Sequence, residues 1–303
     1  MILPALVAAA GPLRWQPHPE VWFLLLAVVG LGFYVTRVIQ PTMVLAGEQP
    51  VTRRQKRFFA AGVFVLWLAS DWPLHDLAEE YLFAAHMVQH LSLTLLMPPL
   101  LLLATPAWLI RLILGAGRTG KVLAALGRPL FAGLVYNALV AFTHAAPLVN
   151  TSVENGPVHY VVHATLVLSA LLMWNPVCGP VPELRLSLPA QMVYLFGMSV
   201  LPTIPAAFLT VADNPLYRAY ERGPYRLWGV NVIEDQQMAG LIMKLGGGSY
   251  LWAIILVLFF TWANRQQAAE RSHRTPNAQL VLTYEQVAAH FEESAPPTTE
   301  LNR

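Results

Sequence analysis

Long apolar runs alternate with short polar segments along most of the chain. A helix needs about 20 residues to cross the hydrocarbon layer of a bilayer, which is about 30 Å thick. Seven runs are long enough, at residues 20–38, 57–74, 79–104, 129–147, 157–176, 188–212 and 237–263. The pattern predicts an all-α, polytopic membrane protein with seven transmembrane helices.

The two ends of the chain differ from the apolar middle. Residues 1–19 are predicted to be a short extracytoplasmic leader; a signal peptide is the less favoured alternative, because no basic residue precedes its apolar stretch. Residues 20–264 form the predicted transmembrane domain. Residues 265–303 are predicted to be a cytoplasmic, mostly disordered tail with one short helix, which Thr283 and Gln286 would begin as a capping box.

The positive charges predict how the helices are oriented. Of the 19 lysines and arginines, four lie on the same side as the N-terminus, Lys244 lies inside the last span, and the other 14 lie on the opposite side. Short loops rich in lysine and arginine face the cytoplasm. The N-terminus is therefore predicted to be outside and the C-terminus cytoplasmic.

The composition supports a membrane protein and excludes other classes. Hydrophobic residues make up 56% of the chain and charged residues 12%, whereas soluble domains carry about 25% charged residues. The net charge is only +2 and no basic stripe is present, so nucleic-acid binding is not expected. A single cysteine, Cys178, rules out an internal disulfide or a thiolate cage for a metal.

Two histidine pairs lie at similar depth on the predicted outer side. His86 and His90, like His159 and His163, are four residues apart, which places each pair on one face of its helix. Helices that face each other could present four imidazoles to one point, as in a metal or haem site. A single intramembrane histidine is ordinarily a packing residue, but two matched pairs favour a functional site.

Further residues extend this candidate site. His144, at the outer end of the fourth span, is a weaker candidate ligand, and His75 is interpreted as a solvated loop residue that could deliver an ion. Met87 is a candidate thioether ligand, with Met238 and Met243 nearby. Imidazole combined with thioether favours copper over zinc, although methionine is also a common core residue.

The last span begins with polar residues. Asp235, Gln236 and Gln237 lie at its outer end, where an acidic side chain commonly caps its own helix. Lys244 is about 13 Å deeper by helical rise, so it must snorkel, pair with a carboxylate or face water. In the third span, Pro98-Pro99 should bend the helix and interrupt its hydrogen bonds.

These motifs together resemble one family. "HMVQH" with "MPPLLLLATP", then "HYVVH" and "DQQMAGLIM", are similar to the CtaG family of bacterial cytochrome c oxidase assembly factors, of the seven-span type, from about residue 15 to about 262. The residues that match the family motif are His86, Met87, Gln89, His90, Pro98, Pro99, His159, His163, Asp235, Gln236 and Gln237. Lys244 departs from it, because an aromatic residue is expected after "GLIM".

The resemblance implies maturation of a haem–copper oxidase, above all the formation of its copper centres. The partners would be oxidase subunits and the lipid bilayer, in the bacterial cytoplasmic (inner) membrane. Gln89, Asp235, Gln236, Gln237, Met243 and Lys244 are predicted to support the site.

Three functions remain open from the sequence. The chain could bind copper on its outer face and pass it to an oxidase subunit, it could be a membrane cytochrome with histidine ligands to haem b, or it could be a scaffold without metal. An enzyme is not expected, because nucleophile–base, phosphate-loop and nucleotide motifs are missing from the sequence. "HMVQH" also lacks the carboxylate that hydrolytic zinc sites place beside the histidines.

Overall fold

A computed structural model describes residues 15–115, 117–221, 227–274 and 283–293. In this part of the chain the regular structure is helical. We label the helices in chain order: α1 (Pro19–Leu45), α2 (Arg53–Ser70), α3 (Leu74–Tyr81), α4 (Phe83–Ala104), α5 (Ala107–Leu114), α6 (Arg118–Leu126), α7 (Pro129–Thr143), α8 (Ala146–Glu154), α9 (Gly156–Cys178), α10 (Leu188–Val200 and Thr203–Val211), α11 (Arg218–Glu221), α12 (Val232–Leu241 and Gly247–Arg274, joined by a π-helical turn) and α13 (Tyr284–Glu293).

Five helices are long and apolar enough to cross a membrane. They are α1, α4, α9, α10 and α12, and the number rises to seven if the bent pairs α2–α3 and α6–α7 each form one span. Large apolar side chains on these helices are exposed, for example Phe23, Leu26 and Phe208. Such a surface is suited to lipid rather than water.

Local caps explain where several helices begin. The Thr52 hydroxyl accepts a hydrogen bond from the Gln55 N–H at the start of α2, and the Gln55 side chain accepts one in return from the Thr52 N–H. The Asn155 side chain caps α9 through the Val158 N–H. Each cap satisfies backbone donors that have no partner inside the helix.

The structure changes several predicted boundaries. The third span was expected to begin at residue 79, but Leu82 is extended, with φ −133° and ψ 118°, and separates α3 from α4. At the other end, the seventh predicted helix was expected over residues 237–263, but α12 continues to Arg274. The predicted tail helix is present as α13, and its Thr283–Gln286 capping box is formed. Residues 1–14 and most of the remaining tail lie outside the described residues.

Helix α4 lies at the centre of the bundle. Its first half packs against α12, and its second half packs against α2 and α9. Buried side chains between these helices include Leu166, Met173 and Trp174 of α9. The position of α4 therefore determines how the other spans meet.

The double proline makes a specific link between α4 and α9. Pro98 has no N–H to donate to the Thr94 carbonyl, and α4 contains a π-helical turn over Ser92–Leu96 just before it. The indole N–H of Trp174 donates to this carbonyl at 3.0 Å. The expected interruption is thus present, and α9 supplies the missing hydrogen bond.

We expect Trp174→Phe to destabilise the protein by about 1–3 kcal/mol, because a buried carbonyl loses its donor. Pro98→Ala restores a backbone N–H for Thr94, so Trp174→Phe should cost less in that background. A double-mutant cycle of chemical unfolding in mixed micelles measures this coupling. Trp252→Phe, on a half-exposed ring, is the control. Equal costs of Trp174→Phe with and without Pro98 would contradict the proposed link.

Candidate metal centre

The two histidine pairs face each other across α4 and α9. The ring centroids are 4.4 Å apart for His86 and His90 and 4.2 Å apart for His159 and His163. Between the helices, His163 lies 4.5 Å from His90 and 5.7 Å from His86. We call these four residues the histidine cluster. Their convergence is the arrangement expected from the spacing and depth of the two pairs.

Three rings of this cluster could hold one metal ion. His86, His90 and His163 each offer one ring nitrogen, and these nitrogens lie within 4.8 Å of one another. An ion about 2 Å from each nitrogen would hold the nitrogens about 3 to 4 Å apart. Nδ1 of His86 and Nε2 of His163 are buried and have no hydrogen-bond partner among the described residues. Such buried polar atoms are uncommon, and a bound ion would satisfy them.

Glu79 adds a carboxylate to the cluster that was not predicted from the sequence. Its Oε1 lies 2.8 Å from Nε2 of His159 and 3.9 Å from Nδ1 of His86. With His159 and His163 it forms a second group whose ligand atoms lie within 4.8 Å of one another. "HMVQH" has no carboxylate in its own sequence, yet the fold brings one to it. The extended Leu82 separates Glu79 from α4, so helical spacing could not place it.

Two further histidines lead from the cluster towards the start of α1. His18 Nε2 lies 2.7 Å from an Asp76 carboxylate oxygen, and its ring is 4.7 Å from that of His75. The His75 ring is 6.4 Å from His159. The Gln89 amide donates to His75 Nδ1 at 3.2 Å. The interpretation of His75 as a solvated loop residue was wrong, because it is half-buried beside the cluster.

His144 is held in a state that suits a ligand. Its Nδ1 lies 2.6 Å from the Val140 carbonyl, which can only accept, so the neutral ring carries its lone pair on Nε2. Nε2 is buried and finds no partner in the described ranges. Burial raises the pKa of Tyr217, whose hydroxyl therefore stays protonated and donates to the His144 carbonyl at 2.8 Å. The His144 ring lies 6.3 Å from His90.

The candidate methionines and Lys244 lie around a neighbouring cavity. Met87 and Met243 are buried and line a cavity of about 50 Å³ together with His90, His144 and Lys244. Met238, expected near the site, is 47% exposed and does not line this cavity. Lys244 borders this cavity, although the residue is exposed.

The polar residues at the start of α12 position backbone rather than an ion. Asp235 was expected to cap its own helix, but Asn231 does so. The two Asp235 oxygens instead accept from the Phe83 and Ala84 N–H groups at 2.8 and 2.9 Å, across 152 and 151 residues, and so cap α4. Asp235 therefore helps to fix the position of His86, which lies about one turn further along α4.

The neighbouring amides have similar structural roles. Gln236 accepts from the Leu216 N–H at 2.7 Å and so holds the loop before α11. Gln89 donates to the Ala69 carbonyl at 2.8 Å, and Gln237 is half-buried. The hydrogen bonds of Gln236 and Gln89 therefore fix a loop and the end of α2 next to the cluster.

Residues 42–265, about three quarters of the chain, match the family described as cytochrome c oxidase caa3 assembly factor (Caa3_CtaG). The matched segment contains the histidine cluster, Glu79, His144 and Asp235, whereas His18 lies before it. No curated protein and no solved structure matches the chain. The similarity thus covers most of the residues that build the site.

We expect Asp235→Asn to weaken the cap of α4, because an amide cannot accept two charge-assisted hydrogen bonds. The loss should be about 1–2 kcal/mol, with faster amide hydrogen exchange at Phe83 and Ala84. Glu234→Gln, on the exposed neighbour, is the matched control. Unchanged exchange at the start of α4 in Asp235→Asn would contradict the capping role.

Proposed function

Because the chain belongs to the cytochrome c oxidase caa3 assembly factor family, we propose that it supplies copper during assembly of a haem–copper oxidase. In this proposal the histidine cluster binds the ion and releases it to an oxidase subunit in the membrane. The observation that carries the proposal is the convergence of His86, His90 and His163, two of which have buried ring nitrogens without partners in the described part of the chain.

The chemistry of the ligands favours copper. Imidazole binds copper, zinc and haem iron, but thioether favours copper, and Met87 and Met243 line the cavity that His90 also borders. Copper is cargo in this proposal, so binding must be reversible. His163 belongs to both groups of potential ligands, which would let an ion change ligands one at a time.

The proposed topology places this site outside the cytoplasm. Seven spans, with the N-terminus outside, would set the histidine cluster at the outer side of a bacterial inner membrane, since the loops at the opposite end carry most of the basic residues. Carboxylates of Glu20 and Asp76 lie beside His18, and that of Glu79 lies beside His159. Their negative charge would attract a cation to this end of the bundle.

The packing of the cluster disfavours the haem alternative. A haem with two histidine ligands must lie between two imidazoles, but the rings of the cluster pack against one another at 4.2–5.9 Å between centroids. The adjoining cavity measures about 50 Å³, whereas pockets for drug-sized ligands span about 300–1,000 Å³. A scaffold without metal gives no reason for the buried nitrogens without partners.

We expect His86→Gln combined with His163→Gln to lower the affinity for Cu(I) by more than about a hundredfold, because even second-shell groups contribute about 10- to 100-fold. Competition with a chromogenic Cu(I) chelator under reducing conditions measures the affinity. His290→Gln, on the exposed helix α13, is the control.

In a strain that lacks the native gene, we expect the same double variant to yield oxidase with little copper and low activity. Added copper should restore part of that activity, because mass action offsets weak binding. Unchanged Cu(I) affinity in the double variant would refute the histidine cluster as the copper site. A Soret band in the purified protein would support the haem alternative instead.

A further inference from the structure

Four of the nine methionines surround the cavity next to the histidine cluster. We call this the methionine cavity, and the residues relevant here are Met87, Met173, Met198, Met243, His90 and His144. The methionines come from four different helices, α4, α9, α10 and α12, and all are buried. Methionine commonly fills irregular gaps in a core, but these four border space that stays open. A cavity of about 50 Å³ has room for an ion or one water, which takes about 30 Å³ in the liquid.

The polar atoms around the cavity suit a soft cation. The Asn137 amide donates to the Met198 sulfur at 3.1 Å and so orients this thioether. His144, whose buried Nε2 carries a lone pair without a partner in the described residues, is part of the lining. Thioether and neutral imidazole together select Cu(I) among biological metals.

The helices around this cavity are interrupted where they border it. Thr94 lies in the π-helical turn of α4, and Met243 and Lys244 lie in the π-helical turn Ile242–Gly246 of α12. The third interruption is in α10, which breaks between Val200 and Thr203. Irregular backbone at membrane depth occurs where it is buried in protein or lines a cavity, and π-turns often mark functional sites.

His90 connects the cavity to the histidine cluster. Its ring lies 4.5 Å from His163 of the cluster and 6.3 Å from His144 of the cavity. One side chain thus borders both places. An ion could pass between them by exchanging imidazole ligands for thioether ligands.

We propose that the methionine cavity is a second binding site, specific for Cu(I), that is filled from the histidine cluster through His90. This inference rests on the proposed copper function of the cluster. Copper is monovalent in both sites, so the transfer is ligand exchange and no electron moves. Lys244 is an exposed residue of the lining, and its positive charge would weaken cation binding and favour release.

The experiment uses the full-length protein, labelled with selenomethionine, in detergent and loaded with Cu(I) under reducing conditions. X-ray absorption at the copper edge detects selenium as a neighbour of copper. We expect two Cu(I) ions per chain and a copper–selenium signal. In Met173→Leu combined with Met243→Leu, one ion and the selenium signal should be lost.

A matched control keeps the test specific. Met97→Leu combined with Met238→Leu removes one buried and one exposed methionine, neither of which lines the cavity, and should leave both ions and the signal unchanged. Leucine conserves the volume of methionine, so the variants should fold. If the variant with Met173→Leu and Met243→Leu does not fold, Met87→Leu combined with Met198→Leu tests the same expected loss of one ion and of the selenium signal.

The outcomes separate the two proposals. Copper bound without a selenium signal, yet lost in His86→Gln/His163→Gln, would overturn the methionine site and leave the histidine cluster in place. A selenium signal that survives both pairs of cavity substitutions would also overturn it. Absence of tight Cu(I) binding by the unmodified chain would overturn both proposals.

Discussion

Two tethers on α4 determine the geometry of the whole site. Asp235 holds the first N–H groups of α4, and Trp174 holds the carbonyl that Pro98 leaves free. One tether comes from α12 and the other from α9, so α4 is fixed to both neighbours. In a bilayer such bonds have no water to compete with them. His86 and His90 lie between the two tethers and therefore face α9 at a fixed distance.

The sequence predicted the parts of the site that depend on one helix at a time. Spacing of four residues and equal depth placed the two pairs opposite each other, and the double proline indicated an interruption of the hydrogen bonds in the third span. Glu79, His18 and His75 could not be placed in this way, because a break at Leu82 and the packing of α1 bring them in. The cap that Asp235 makes on α4 was equally hidden, since it joins residues more than 150 positions apart.

Hydrogen-bond partners distinguish two of the supporting residues from the potential ligands. Asp235 and Gln236 are buried, and their side-chain oxygens accept from backbone N–H groups, which explains their presence at the bundle end without a metal. His86, His144 and His163 each keep a buried nitrogen for which the described residues offer no partner. Burying such an atom costs free energy. Under the copper proposal, a bound ion would satisfy these three nitrogens and offset that cost.

The potential ligands become softer from the bundle end towards its interior. Carboxylates of Asp76 and Glu79 lie beside His18 and His159, imidazoles converge in the cluster, and thioethers join His90 and His144 around the cavity. Hard oxygen ligands attract many cations, whereas thioethers hold Cu(I) and bind zinc or magnesium poorly. A path in this order would admit cations broadly by charge and retain only Cu(I). Selectivity would then reside in the methionines, and the histidines would serve exchange between the two ends, with His90, which borders both, as the connecting ring.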